Sequence, residues 1–357
     1  MLIAYCGALW EGSTAKMRLE ALQRLGHTVV GVDTTCPLSG LHSIWVRAAR
    51  KAGWTIDTAG ANRALLELAK QHQIEVVWID KGLTIQPKTL RKLREMAPGV
   101  RLVHYSVDDM SGKHNQSRQY LAGIPLYDLH TTTKSYNVAE LQAMGATSVL
   151  LVNNACCPIL HRPIVVSSED RGRLGGAVGF IGGFEKQRAD AIWFLVTNGI
   201  PVRVWGEGWG RGWFGRGWKE WAAFHRHPGL KVEDRAVFGA EYVEAICSFD
   251  INLGFLRRLN RDLQTTRSVE IPACGAFMLA ERTAEHQQLF QEGVEADFFS
   301  NPEELLKKCR HYITHSEERS QIARTGHQRC KRSDYSYDRQ LSDVLKRLND
   351  HPLQDAP

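Results

Sequence analysis

Strand-sized apolar runs alternate with helix-sized amphipathic patterns along nearly the whole chain, and this alternation constrains its fold more than any other feature. Leu2–Cys6 reads as a buried strand. Thr14–Leu25 follows as a helix, with Met17, Ala21, Leu22 and Leu25 on one face and Gly26 as its stop. The same rhythm gives strands at 28–32, 75–79, 101–107, 127–131 and 148–152, and helices at 61–72, 88–96 and 135–144. Parallel strands need a crossover between them, and the interposed helices supply it. The expected class is α/β, with parallel sheets covered on both faces.

Pro158–Gly176 interrupts the rhythm with Pro163, a polar run and Gly175-Gly176. It resumes with strands at 177–181, 202–205, 250–254 and 277–279, and helices at 186–198, 242–247, 266–273, 303–315 and 317–330. The 357 residues accommodate two domains. The expected organisation is an N-terminal domain over 1–160, a linker over 161–176, a second domain over 177–330, and a last helix within 331–357 available to pack back on the first domain. Two such halves bring strand carboxyl ends and helix N-termini to a central cleft, the place where ligands bind in these folds.

Composition excludes several classes. Hydrophobic residues make up 43% and charged residues 24%, a globular balance unlike that of disordered or collagen-like chains. The eight Cys include no C-x-x-C pair, so neither a zinc ribbon nor a thioredoxin-type motif is signalled, and reduced thiols in a cytoplasmic protein are expected. The N-terminus lacks a basic segment followed by a long apolar one, and no run approaches the ~20 residues of a membrane span. The net charge of +6 suits an anionic ligand without demanding nucleic acid.

Several loops carry candidate chemistry. Cys6–Thr14 has Gly7 and Gly12 at phosphate-loop spacing, but Ser13 stands where Walker A needs Lys. Gly12, Ser13 and Thr14 either admit a substrate or form an ordinary strand–helix corner. Asp108 and Asp109 follow a strand and are the candidate general base or acceptor-orienting pair, Asp108 first. No D-x-D occurs, and His225 and His227 lack a third ligand, so no metal site is expected. Gly182 and Gly183 let backbone approach a ligand, with Lys186 and Arg188 at the helix start where an anion would sit. Five of the ten Trp fall in Trp205–Trp221, interleaved with Gly206 and other glycines. This loop, with Trp209, stacks on a donor sugar or base, forms a nucleic-acid platform, or packs down on itself. Arg257, Arg261 and Arg267 surround Thr265 and Thr266 at the start of a helix, a setting for a phosphorylated ligand, and Glu270 one turn in is placed to accept two ribose hydroxyls.

The stretch T-T-R-S-V-E-I-P-A-C-G-A-F-M-L-A-E-R-T, Thr265 to Thr283, together with H-Q-Q-L-F-Q-E-G-V-E-A-D-F-F-S-N-P-E-E-L, His286 to Leu305, resembles the CgeB-like (spore maturation type) family of glycosyltransferases. R-S-Q-I-A-R-T-G-H-Q-R-C (Arg319 to Cys330), G-A-L-W-E-G-S-T-A-K-M-R-L-E-A-L-Q-R-L-G-H, Y-D-L-H-T-T-T-K with H-R-P (His161 to Pro163) downstream, and V-G-F-I-G-G-F-E fit the same pattern. The resemblance implies a GT-B fold of two Rossmann-like domains, acceptor on the first and nucleotide-sugar on the second. It implies sugar transfer from a UDP-, GDP- or dTDP-type donor used as co-substrate, with no other cofactor and no metal. In related retaining enzymes with an E-x7-E motif the second Glu lies on the ribose, and Glu270 matches it. The first falls on Asp262, and Gly183 stands where those enzymes carry an Arg. Two alternatives stay open: a nucleic-acid-binding protein, or a glycosyltransferase acting on nucleic acid, through the 205–221 loop; and a sugar-nucleotide epimerase or inactive relative on the same fold.

Overall fold

A computed structural model describes residues 1–35, 40–210 and 218–350. In chain order the elements are β1 (Leu2–Gly7), α1 (Thr14–Arg24), β2 (Thr28–Asp33), α2 (Gly40–Lys51), α3 (Ala61–Gln71), β3 (Val76–Asp80), α4 (Pro87–Met96), β4 (Arg101–Ser106), α5 (Arg118–Gly123), β5 (Leu129–Thr132), α6 (Asn137–Ala143), β6 (Val149–Leu151), α7 (Ser168–Leu174), β7 (Gly176–Ile181), α8 (Lys186–Thr197), β8 (Val202–Trp205), α9 (Trp218–Arg226), β9 (Leu230–Glu233), α10 (Gly239–Ser248), β10 (Phe249–Gly254), α11 (Arg267–Ala273), β11 (Met278–Glu281), α12 (Ala284–Leu289), β12 (Asp297–Phe299), α13 (Pro302–Thr314), α14 (Ser316–Ser333) and α15 (Tyr337–Asp350). They form two compact units: Met1–Asn153 with the chain from Ser336 onward, and Asn154–Tyr335.

Unit 1 is built on a parallel sheet of order β2-β1-β3-β4-β5-β6. Its central strand β3 reads V-V-W-I-D, buried through Ile79, as a strand covered on both faces must be. Leu65, Leu90 and Leu93 from α3 and α4 pack on Val77, Ile79 and Leu102. α15 belongs to this unit. It buries Leu341, Val344, Leu345 and Leu348 on one helical face and packs on α1. Arg24 pairs with Asp338, and Tyr105 donates to Gln340 at 2.9 Å.

His104 and His130 stand opposite each other on β4 and β5, ring centroids 5.0 Å apart, among Tyr120 and Tyr127. Each directs Nε2 at a carbonyl, Lys81 at 3.2 Å and Ile124 at 2.9 Å, so Nε2 carries the proton. Each Nδ1 is buried without a hydrogen-bond partner. Burial lowers both pKa values, His130 to about 4. The folded state therefore keeps His130 neutral where the unfolded chain protonates it near 6.5. Stability is full above pH 6.5 and is lost as pH falls toward about 4, by about 3 kcal/mol from His130 alone. Urea midpoints at a series of pH values check this, and His130→Phe is expected to flatten the slope.

Unit 2 has the parallel order β12-β11-β10-β7-β8-β9. The chain starts at the centre with β7, builds outward to β9, then crosses back to β10 and builds the other way. This is the doubly wound arrangement, and its switch point lies between β7 and β10. Phe180, Val204, Ile251, Leu253 and Phe299 fill one side of the core.

The helices α2, α5, α9 and α12 are absent from the sequence reading, and two further features differ from it. The expected linker over 161–176 contains α7, whose N-cap Ser167 accepts from the Asp170 amide, with Glu169 and Asp170 in the first turn and Arg171 and Arg173 in the last. Charges ordered along the helix dipole explain a polar run that is nonetheless helical. The edge strands β9 and β12 are short, four and three residues, too brief to show a period.

Candidate nucleotide-sugar site

At the switch point of unit 2, β7 runs out into Gly182-Gly183 and β10 into Phe255-Leu256. Arg188, in the first turn of α8, ties these two strand ends together. Its Nη1 donates to the Gly183 carbonyl at 2.9 Å and its Nε to the Leu256 carbonyl at 3.3 Å, with the guanidinium 5.4 Å from the Phe180 ring centroid. Nη2 is buried and has no hydrogen-bond partner, and neither has Nε of Arg267 at the start of α11. Burial first, and the nearby positive charge of Arg267 second, bring the Arg188 pKa down to about 10. Two guanidinium groups that repel each other and keep unused buried N–H donors are an unfinished arrangement, because an unsatisfied buried donor costs about 1–3 kcal/mol. An oxyanion that reached either donor would satisfy it and offset the repulsion. The space is prepared for one: a Cβ built on Gly183 meets only the Glu207 carbonyl, at 3.7 Å. Thr266 is the N-cap of α11 without a side-chain cap bond. A cavity of about 370 Å³ adjoins Arg188, bordered by Gln187, Phe255, Leu256, Glu281 and Asn301.

The other predicted donor residues divide. Lys186 pairs with Asp190 at 2.7 Å along the exposed face of α8 and does not join Arg188. Arg257 pairs with Glu185 at 3.1 Å and Arg258 with Glu281 at 2.6 Å, so these cations are already neutralised. Arg261 is exposed, with φ +46 after a short 3-10 turn. Thr265 has its amide on Ser268 Oγ at 3.0 Å, and Ser268 in turn contacts His286 Nε2 at 2.7 Å while His286 Nδ1 donates to the Glu281 carbonyl. Ser268 and His286 escaped the sequence reading. They hold the loop that presents Thr265, Thr266 and Arg267.

Gly182 and Gly206 serve one another. A Cβ on Gly206 would lie 2.1 Å from the Gly182 carbonyl oxygen, and Gly206 has φ +154. Trp209 is fully buried, donates Nε1 to that same carbonyl at 2.8 Å, and packs on Phe180, Phe184 and Phe224. Trp205 is buried too, its Nε1 on the Leu174 carbonyl and its ring under Arg235. Both rings are therefore packing residues, which corrects the expectation that Trp209 stacks on a donor. Arg211, Trp213 and Arg216 of the same loop lie outside the described residues.

Glu270 is buried at 4% exposure. Its Oε2 accepts from Tyr242 at 2.6 Å, and Oε1 is 3.9 Å from His161 Nε2. His161 Nδ1 accepts from the Cys157 amide, which leaves Nε2 protonated, buried and without a hydrogen-bond partner. One carboxylate oxygen of Glu270 is thus engaged, unlike the fully available carboxylate the spacing suggested. Tyr242 carried no motif that marked it, whereas His161 opens the H-R-P that fits the family pattern.

The switch point of unit 1 lies between β1 and β3. Ser13 caps α1: its Oγ accepts from the Lys16 amide and donates to the Ala8 carbonyl, after Gly12 at φ +84. Thr14 Oγ1 accepts from Arg18 at 3.4 Å. The loop is thus a corner held by its own hydrogen bonds. Arg18, 1% exposed, donates twice to Asp80, which also accepts from Tyr5 at 2.7 Å. Lys81, held at φ +63, reaches Asp108 at 2.5 Å and Asn115 at 3.2 Å. Asp109 differs from expectation. It is 1% exposed, and Oδ1 accepts from the amides of Ser111 and Gly112 and from Asn137, so it shapes the loop rather than facing a substrate. Asp108, with a half-exposed lysine beside it, keeps the candidate role.

Among the described residues no group of three or more His, Cys, Asp or Glu is placed to hold a metal ion, and no helix is long and apolar enough to cross a membrane.

The fold has counterparts among solved structures. The chain is similar to Anabaena Alr3699/HepE in complex with UDP and glucose, at 12% identity and TM-score 0.63, covering 97% of this chain and 99% of that one. The fold is GT-B. The sucrose-phosphate synthase (tll1590) from Thermosynechococcus elongatus shares this GT-B architecture at 11% identity and TM-score 0.63, covering 98% and 99%. So does an alpha-glucosyltransferase in complex with UDP and a 13-mer DNA containing a central A:G mismatch, at 12% identity and TM-score 0.63, covering 97% and 99%. Residues 188–346 match the family model described as glycosyl transferase-like. No curated protein matches the chain.

Proposed function

We propose that this GT-B protein is a glycosyltransferase that takes a sugar from a nucleoside-diphosphate sugar, UDP-linked in the first instance. The observation that carries the reading is the Arg188–Arg267 pair at the β7/β10 switch point, two guanidinium groups with unused buried donors. As the bond between the sugar and the β-phosphate breaks, negative charge grows on the departing diphosphate. Donors already fixed in place stabilise that charge without reorganising. Arg188 is fixed by two backbone carbonyls. Arg267, whose charge Arg188 feels, and the Thr266 hydroxyl at the N-cap of α11 supply further donors in this reading, so no divalent metal is required. Glu270 accepts a ribose hydroxyl through the oxygen that Tyr242 leaves open. In unit 1, Asp108 orients the acceptor hydroxyl, steered by Lys81. The match of Glu270 to the second Glu of the E-x7-E motif in related retaining enzymes supports its assignment to the ribose. That HepE was solved with UDP and glucose makes UDP the first ligand to try.

Calorimetry with UDP, GDP, dTDP and UDP-sugars tests the reading. Saturable binding of at least one of them, unchanged by EDTA, is expected. Folded protein that binds none would overturn it. Glu270→Ala is expected to weaken UDP roughly tenfold while leaving inorganic pyrophosphate unaffected, because only the ribose contact is removed.

A further inference from the structure

Seven cysteines are described, all with free thiols, and two of them touch. Cys247 is the next-to-last residue of α10 and Cys274 is the C-cap of α11, so both lie where β10 and β11 begin, at the opposite end of the unit 2 sheet from Arg188. Cys247 Sγ is 3.6 Å from the Cys274 carbonyl oxygen. Its thiol donates to that carbonyl, which puts the Cys247 sulfur against the Cys274 backbone. Both cysteines border a cavity of about 300 Å³ together with Ile164, Arg171 and Arg319. Cys247 is half-buried, whereas Cys6 and Cys309 are sealed at 0% exposure in apolar cores. The half-buried sulfur thus lies against the Cys274 backbone, and a cavity large enough for a small oxidant is bordered by both cysteines.

We propose that Cys247 and Cys274 are an oxidisable dithiol that closes to a reversible disulfide on reaction with a hydroperoxide. Cys247, as thiolate, attacks one oxygen of hydrogen peroxide. The O–O bond breaks, Cys247 becomes a sulfenic acid, and hydroxide leaves and takes up a proton to become water. Cys274 then attacks the sulfenic sulfur, the S–S bond forms, and a second water departs with the Cys274 proton. Two thiols and one peroxide give one disulfide and two waters, and the thiols supply both electrons. The direction of polarisation agrees. The hydrogen bond from Cys274 lowers the Cys247 pKa, and the same bond, ahead of burial, raises that of Cys274, which marks Cys247 as the attacking sulfur.

Closure also reaches the candidate nucleotide-sugar site. The Cys274 amide donates to the Glu270 carbonyl, and α11 has only seven residues, with Arg267 at its first position and Glu270 one turn in. Drawing Cys274 toward Cys247 pulls on the same short helix. This second step rests on the nucleotide-sugar reading above.

The test treats the full chain with hydrogen peroxide, blocks remaining thiols by alkylation, and maps peptides before and after dithiothreitol. A Cys247–Cys274 linked peptide that dithiothreitol releases is expected, absent from Cys247→Ser and from Cys274→Ser and present in Cys309→Ser. Oxidation of Cys247 to a sulfinic acid with Cys274 still alkylated, or no reaction faster than at Cys309, would overturn the proposal. In the same samples UDP affinity is expected to fall at least roughly fivefold on oxidation and to return on reduction. A linked peptide with unchanged UDP affinity overturns the coupling to α11. Reduced protein that binds none of UDP, GDP, dTDP or the UDP-sugars counts against the nucleotide-sugar reading instead, and leaves the peptide result standing.

Discussion

Arg188→Met weakens UDP binding by roughly 30- to 1000-fold and leaves the thermal midpoint within a few degrees of the parent. The two halves of this expectation have separate causes. Removing one partner of a desolvated charge pair costs about 2–4 kcal/mol in binding, which sets the range in affinity. Stability is nearly conserved because two effects oppose. The carbonyls of Gly183 and Leu256 lose their donor, at about 1 kcal/mol each. Against this, a cation whose burial and whose neighbour Arg267 disfavour its charge is gone. Arg188→Lys is expected to fail nearly as badly in binding, because an ammonium cannot span both carbonyls and still present a planar donor edge. Calorimetry with UDP and a melting curve of the apo-protein decide the matter together. A large fall in melting temperature with unchanged UDP affinity would make Arg188 a structural staple of the β7 and β10 ends and nothing more.

Trp209→Ala should show the reverse pattern. The side chain is fully buried among Phe180, Phe184 and Phe224, and its Nε1 donates to the Gly182 carbonyl. Truncating a buried Trp costs about 3–5 kcal/mol, and the orphaned carbonyl adds about 1 kcal/mol. For a unit of this size that corresponds to a fall of about 10 °C or more in melting temperature. UDP affinity of the fraction that remains folded should change less than about threefold. A melting temperature near that of the parent, with UDP binding lost, would return Trp209 to the stacking role that composition first suggested.

The alternation of strands and helices was legible because buried parallel strands leave continuous apolar runs, as in V-V-W-I-D, and their crossover helices leave amphipathic ones. The elements that escaped have physical reasons to be quiet. β12 has three residues, β9 lies at a sheet edge with only Leu230 buried, and α7 is a polar helix ordered by its cap and its charges. Within the site, Gly182, Gly183 and Arg188 were readable from a strand–glycine–helix junction. The choice among cations was not. Lys186 and Arg257 flank the β7 and β10 strand ends in sequence as Arg188 and Arg267 do, yet Asp190 lies one turn along from Lys186 and Glu185 lies against Arg257 across the fold. The Lys186–Asp190 spacing of i,i+4 was there to be read, whereas the neutralisation of Arg257 depends on a contact with a residue far away in the sequence. The same holds for Tyr242 and His161 around Glu270, and for Ser268 and His286 behind Thr265. Lys81 could also have been found. A lysine between Asp80 and Gly82 at the end of a buried strand marks a sharp, strained corner, and the structure places it at φ +63.

Unit 1 is assembled from two stretches of chain separated by all of unit 2. During synthesis the ribosome delivers β1 to β6 first, then residues 154–335, and only then α15. At about 5–20 residues per second the first half waits on the order of ten seconds or more for its last helix. Through that interval the face of α1 that meets α15 is bare. Arg18 has Asp80 and Tyr105 but not yet Tyr337, whose ring closes over its guanidinium at 5.5 Å. The half translated first is thus the half that matures last. A premature stop codon near residue 335 would spare unit 2 and strand unit 1 as a nascent-chain intermediate for chaperones to hold.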